Sequence, residues 1–152
     1  MAIRTAYFLD IDNLVGNGLA TPSQVAEVLA AFETACSPGP QDLVYCAATA
    51  KAAYEVKLAR PGYRVLVGRG KDGSDLQLLS MADIHVLARQ FQRVVIGSGD
   101  AIFHPLVAEL RRRGLAVELV RGRGFLSHRL YRAVAPVIPG GLSPITTLRL
   151  AA

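Results

Sequence analysis

The sequence has no apolar run long enough to cross a bilayer; its longest runs are the size of a β-strand. A membrane-spanning helix is therefore not expected. It also lacks a secretory opening, because MAIRTAYFLDIDN reaches charged groups too soon. Cysteine is scarce. Cys36 and Cys46 have neither metal-binding nor redox spacing, so they read as reduced core thiols of a cytoplasmic protein. A P-loop is missing, since GRGKDGS at Gly68 does not fit G-x-x-x-x-G-K-[ST]. No G-x-G-x-x-G follows the first apolar run, which removes the usual dinucleotide signature. His85, His104 and His128 share no ligand spacing and read as satisfied or surface histidines.

What is present fits one compact, soluble domain. The chain has 152 residues, 51% of them hydrophobic and 19% charged. The formal charge is +5 and the pI about 9.6, a balance that favours a polyanionic partner.

Short apolar runs alternate with helical periodicity. Strands are expected at Ile3 to Asp10, Leu43 to Ala47, Tyr63 to Val67, Arg93 to Ile96 and Leu115 to Val120. Between them, TPSQ at Thr21 is a capping box that opens a helix through about Cys36. Further helices are expected at Ala50 to Arg60, from Ser74 as N-cap through about Arg89, at Phe103 to Arg113 closed by Gly114, and near Ser127 to Arg132. This alternation predicts a three-layer α/β/α sandwich around a mostly parallel sheet, Rossmann-like, with strand order 3-2-1-4-5. Residues 1–138, ending in the apolar segment Val134 to Ile138, form the expected single domain. Residues 139–152 form a Pro/Gly-rich tail that packs irregularly or extends.

In such folds function sits in the loops beyond the carboxyl ends of the strands. Asp10, Asp12 and Asn13 follow the first strand, and Ser98 and Asp100 follow the fourth. The expected strand order puts Asp10 and Asp100 in one crevice. Two close carboxylates repel unless a proton or cation lies between them, and a hard ion such as Mg²⁺ suits oxygen ligands. Asp75, at the start of the third helix, faces the same edge. First-turn Asp often only stabilises a helix, but beside Asp10 and Asp100 it reads as a third ligand. Asp72 reads as a loop residue, and Asp83 as part of a solvated helix face.

Basic residues gather on the same rim. Lys51 follows strand two, Arg69 and Lys71 follow strand three, and Arg121 and Arg123 follow strand five, with Arg129 and Arg132 just beyond. Cations around an acidic centre suit a phosphodiester backbone. Ser127 lines the same crevice from the fifth loop. The run Arg111-Arg112-Arg113 ends a helix at the opposite edge and reads as structural.

Taken together, these residues resemble the NYN domain, a family of the PIN-like ribonuclease superfamily that includes the LabA-like group. The resemblance rests on D-x-x-N (Asp10, Asn13), K-x-x-x-D (Lys71, Asp75), S-G-D-x-x-F-x-P-L (Ser98 to Leu106), G-L-A-V-E-L and F-L-S-x-x-L (Phe125 to Leu130). It covers about Tyr7 to Ile138. It implies a PIN-like fold and Mg²⁺- or Mn²⁺-dependent cleavage of RNA. Asp10, Asp75 and Asp100 would be the metal ligands, and Asn13 would complete the catalytic set. In that chemistry the metal lowers the pKa of a bound water, which attacks phosphorus in line. One position departs from the family: Ile102 stands where a second aspartate usually follows S-G-D. Asp12 is the sequence's nearest candidate to fill that gap.

Three readings compete. The first is a metal-dependent endoribonuclease. The second is a weakened PIN-like domain that binds nucleic acid or protein in a regulatory role, as Ile102 would allow. The third is a haloacid-dehalogenase-type phosphatase, with Asp10 as nucleophile and Asp12 as general acid. The nucleic-acid readings imply an RNA partner, single-stranded or structured. Self-association into a homo-oligomer stays open.

Overall fold

Tyr7 and Leu9 point to one side of the first strand, Ala6 and Phe8 to the other, and all four are buried. A strand buried on both faces must be covered twice, and that fixes the architecture. The computed structural model describes residues 3–17, 20–70, 72–134 and 143–151. Lys71 and residues 135–142 lie outside the described residues, and with them most of the expected apolar segment.

The strands are β1 (Thr5–Asp10), β2 (Leu43–Ala48), β3 (Arg64–Val67), β4 (Arg93–Gly97), β5 (Ala116–Arg121) and β6 (Ile145–Thr147). They form one sheet of order β3-β2-β1-β4-β5-β6, and every neighbouring pair is parallel. The expected order 3-2-1-4-5 stands, with one strand added from the tail. That strand is short and half-buried, with nothing local to announce it. It forms because β5 offers an open edge: Leu119 N–H donates to the Pro144 carbonyl, and Leu148 N–H to the Arg121 carbonyl.

Parallel neighbours need right-handed crossovers. The chain first walks from β1 to β3, so α1 (Ile11–Val15), α2 (Pro22–Cys36) and α3 (Ala50–Ala59) pack on one face with Tyr7, Leu9 and Val95. It then returns past β1 and walks the other way. The helices α4 (Gly73–Met81), α5 (Ile84–Gln90), α6 (His104–Arg112) and α7 (His128–Val134) therefore cover the opposite face with Phe8, Ile96 and Leu119. The reversal lies between β1 and β4, which is where such sheets open a crevice.

Local chemistry explains most element ends. Thr21 and Gln24 form the expected capping box: the Gln24 N–H donates to Thr21 Oγ1 at 3.2 Å and the Thr21 N–H to Gln24 Oε1 at 3.0 Å. Gly114 follows α6 with φ of 88°, the left-handed conformation that suits glycine after a helix. At that same end Arg112 and Arg113 pair with Glu109, and Arg111 donates to the Ala133 carbonyl, so the triple arginine is structural.

Three expectations change. The helix expected from Ser74 to Arg89 is two helices, because Asp83 caps a new one by accepting the Val86 N–H at 3.1 Å. Asp83 is thus an N-cap and not part of a solvated helix face. Ser74 is not the cap of α4; Asp72 holds that place with φ of 57°, and Ser74 is buried in the first turn. Finally, α1 was not expected. It forms because Asp10 caps it, accepting the Asn13 N–H at 3.2 Å, while Ile11, Leu14 and Val15 bury one face.

Candidate metal centre

Three loops meet at the β1/β4 crevice. Asp10 ends β1, and Asp100 follows β4 at the head of the 3-10 turn Ala101–Phe103. Asp75 arrives from further away. β3 is an edge strand, but α4 runs back across β2 and β1 toward that turn. Gly68 makes this return possible: a Cβ there would sit 2.3 Å from the Ser74 nitrogen, so only glycine admits α4 so close. Leu78, one turn beyond Asp75, is fully buried and anchors the helix.

The result is a knot of carboxylates. Oxygens of Asp72, Asp75 and Asp100 all lie within 4.8 Å of one another. Asp75 is also within hydrogen-bonding reach of Asp10 as well as Asp100. Asp10 and Asp75 are each only 5% exposed. Burial pushes the Asp75 carboxyl far up from the usual carboxylate range, and the neighbouring Asp10 and Asp100 push it further. Asp10 is raised too, chiefly by burial and then by Asp12 and Asp100, against the lowering effect of Asp75 and the Asn13 N–H. Asp75 Oδ1 is buried with no donor. A buried oxygen surrounded by other carboxylates needs a proton or a cation. Hard divalent ions take all-oxygen ligand sets of this kind, so these residues fit one.

Asp72 is the residue that sequence reasoning missed. It read as a loop residue, yet its left-handed backbone brings its carboxylate to Asp75 and Asp100. Its sequence signal was the glycine that follows it, Gly73. Asp12, in contrast, is held by other partners. Its Oδ2 accepts the Thr49 N–H at 2.8 Å, its Oδ1 the Thr49 hydroxyl at 3.3 Å, and Ser74 Oγ lies 3.4 Å from Oδ2. Asp12 ties α1 to the start of α3 and to α4. Ile102 itself packs against the core on the α6 face, and its N–H donates to Asp100 Oδ1 at 2.9 Å.

The remaining expected residues sort by their bonds. Asn13 Oδ1 accepts the Gly99 N–H at 3.1 Å, which couples the first and fourth loops. Ser98 is fully buried, and its Oγ accepts the Asp100 N–H at 3.2 Å. The Ser127 N–H donates to the Gly99 carbonyl at 2.7 Å, and Ser127 Oγ accepts the Leu130 N–H at 3.4 Å, so Ser127 fastens the fifth loop and caps α7. Gly99 must be glycine, because a Cβ there would meet the Phe125 carbonyl oxygen at 2.0 Å.

Of the basic rim, Lys51 and Arg69 are exposed and Arg121 is half-buried at the end of β5. Lys71 lies outside the described residues. Arg123 is spoken for: it pairs with Glu27 at 2.9 Å and donates to the Ala151 carbonyl, so it is not a free rim cation. Among the described residues, no helix is long and apolar enough to cross a membrane.

A family model of the NYN domain matches residues 4–139. No curated protein matches. Among solved structures, the fold is similar to that of a protein of unknown function, VPA0982 from Vibrio parahaemolyticus. The TM-score is 0.59 and the identity 16%, over 97% of this chain and 93% of that one.

Proposed function

Because the chain belongs to the NYN domain family, within the PIN-like nuclease superfamily, we propose that it is a divalent-metal-dependent ribonuclease that hydrolyses phosphodiester bonds. The carboxylate knot with the donorless Asp75 Oδ1 carries this reading. Asp10, Asp75 and Asp100 hold a Mg²⁺ or Mn²⁺ ion, and Asp72 supplies the further carboxylate that Ile102 does not. Bound there, the ion supplies Lewis acidity, easing deprotonation of water and drawing charge from the phosphoryl oxygens.

The chain's own residues do the rest. Asn13, Ser98 and Ser127 hold the loops of Asp10 and Asp100 in register through Gly99 and the Asp100 backbone. Lys51, Arg69 and Arg121, with Lys71 as an expected fourth, hold substrate phosphates on the rim. A divalent ion held there would take the place of a shared proton and offset part of the cluster's negative charge, letting Asp75 act as a full carboxylate. The free Cys36 and Cys46 agree with a reducing, cytoplasmic setting.

The regulatory, non-cleaving alternative keeps one observation in its favour: a partly buried Ile102 packs against the core at the position where the family usually carries an acid. The phosphatase reading has less support, because the Asp12 carboxylate it would use as general acid is bonded to Thr49 and Ser74. Incubation of labelled single-stranded RNA with Mg²⁺ or Mn²⁺ separates the first two. Cleavage that Asp10→Asn abolishes supports the nuclease. Binding without cleavage, at any metal concentration, supports the regulatory domain.

A further inference from the structure

Four of the five phenylalanines, Phe8, Phe32, Phe91 and Phe103, are buried, whereas Phe125 is 80% exposed. Phe125 is not on a loose loop. Its carbonyl is packed against Gly99, the residue before Asp100, and the Ser127 N–H closes the same contact at 2.7 Å. The backbone thus holds Phe125 at the Gly99 turn, next in the chain to Asp100, with its ring open to solvent.

A second feature begins three residues later, within about 10 Å of chain. A cavity of about 480 Å³ is lined by His104, His128, Arg129, Arg132 and Ala133. No acid lines it. Arg129 and Arg132 are exposed, lie three apart on one face of α7, and make no ion pair among the described residues. His104 follows Asp100 by four residues, so cavity and knot flank the same 3-10 turn. His128 stacks on Tyr131, with ring centroids 6.3 Å apart.

We propose that this lip is a single-strand subsite: Phe125 stacks an unpaired base, and the Arg129–Arg132 cavity holds a neighbouring phosphate of the same strand. An exposed ring beside a cationic groove is the arrangement by which proteins track single strands, since every base offers a π-face. A duplex hides those faces. The subsite rests on the nuclease reading for its purpose, delivering an unpaired strand to the carboxylates, but its binding chemistry needs no metal. Its ligand is base plus phosphodiester, a chemistry that RNA and single-stranded DNA share.

The test uses the whole chain in EDTA, with labelled twelve-nucleotide RNA, the matching DNA strand, and the duplex, read by fluorescence anisotropy across salt concentrations. Phe125→Ala weakens single-strand binding about tenfold, leaves the salt slope unchanged and spares the duplex. Arg129→Ala with Arg132→Ala makes the slope shallower by roughly 1.4, about 0.7 for each cation removed. Equal losses for RNA and DNA show readout of base and phosphate alone. A larger loss for RNA adds a 2′-hydroxyl contact to the same subsite. Binding unchanged in both variants, equal weakening of the duplex by Phe125→Ala, or no wild-type binding at all overturns the proposal. Metal-dependent cleavage is assayed separately. If cleavage is absent while these losses hold, the nuclease reading fails and the subsite stands. If cleavage is present while binding is untouched, the subsite alone fails.

Discussion

The side-chain oxygen of Asn13 accepts the backbone N–H of Gly99 at 3.1 Å, across 86 residues of sequence. This bond joins the loop that carries Asp10 to the loop that carries Asp100. It makes Asn13 a positioning residue whose effect passes through the carboxylates. Asn13→Ala is expected to cost about 1 kcal/mol of stability and to lower cleavage about tenfold or more by loosening the metal ligands. Thermal unfolding and a metal titration of cleavage check this. A turnover loss with no change in metal requirement would mean that Asn13 touches substrate instead.

Asp72 and Ile102 make a linked pair of substitutions. Asp72→Asn keeps a residue that tolerates φ of 57° while removing the charge. It is expected to raise the metal concentration needed for half-maximal activity about tenfold. Ile102→Asp loses apolar packing on the α6 face but adds a carboxylate two residues after Asp100. In the Asp72→Asn background it should recover metal affinity. An Asp72→Asn protein with wild-type metal dependence would remove Asp72 from the ligand set.

The carboxylate knot sets a pH dependence with a definite sign. The Asp75 carboxyl is raised in the fold, so the metal-free folded state holds a proton that the unfolded chain loses near pH 4. The Asp75 contribution to stability in EDTA is therefore fully present below about pH 4 and is lost as pH rises toward the raised value. Asp75→Asn removes the Asp75 share of the slope and is expected to raise the unfolding temperature in EDTA at pH 8. Added Mn²⁺ should stabilise the wild type more at pH 8 than at pH 5, because the ion displaces that proton. Differential scanning calorimetry reads each quantity.

A cluster at the other edge of the sheet serves as a control. Glu33 receives two bonds from Arg60, at 2.6 and 2.7 Å, and one from the Tyr63 hydroxyl. Its pKa is lowered, first by the Arg60 bond, so its contribution is present above about pH 4.5 and is lost as pH falls through the lowered value. Glu33→Gln is expected to lower stability at pH 7 by about 1 kcal/mol and to leave metal-dependent cleavage unchanged. A matching loss of cleavage would tie this edge to the site.

The sequence showed most where structure is local or periodic. The capping box at Thr21 and Gln24 needs only three residues, and the alternation of apolar runs with helical spacing was enough for the sheet order around β1 and β4. The meeting of Asp10 with Asp100 followed from that order. What escaped notice depends on distant partners or unusual backbone. β6 exists only because β5 has an open edge. Asp72 joins the knot through a left-handed conformation, which Asp tolerates but does not by itself announce. Arg123 looked like a rim cation until Glu27, 96 residues earlier in the chain, was found beside it. The break at Asp83 was local and legible in principle, but helical periodicity ran through it and hid the cap.

The central claim is that the buried carboxylates hold a divalent ion for phosphodiester hydrolysis. Its most direct test is the cleavage of an end-labelled single-stranded RNA by wild type and Asp10→Asn, with Mn²⁺, with Mg²⁺ and with EDTA. The account predicts cleavage with at least one of the metals, none in EDTA, and a loss of at least about a hundredfold in Asp10→Asn. Cleavage that survives EDTA or the Asp10→Asn substitution, or no cleavage with either metal, would contradict it.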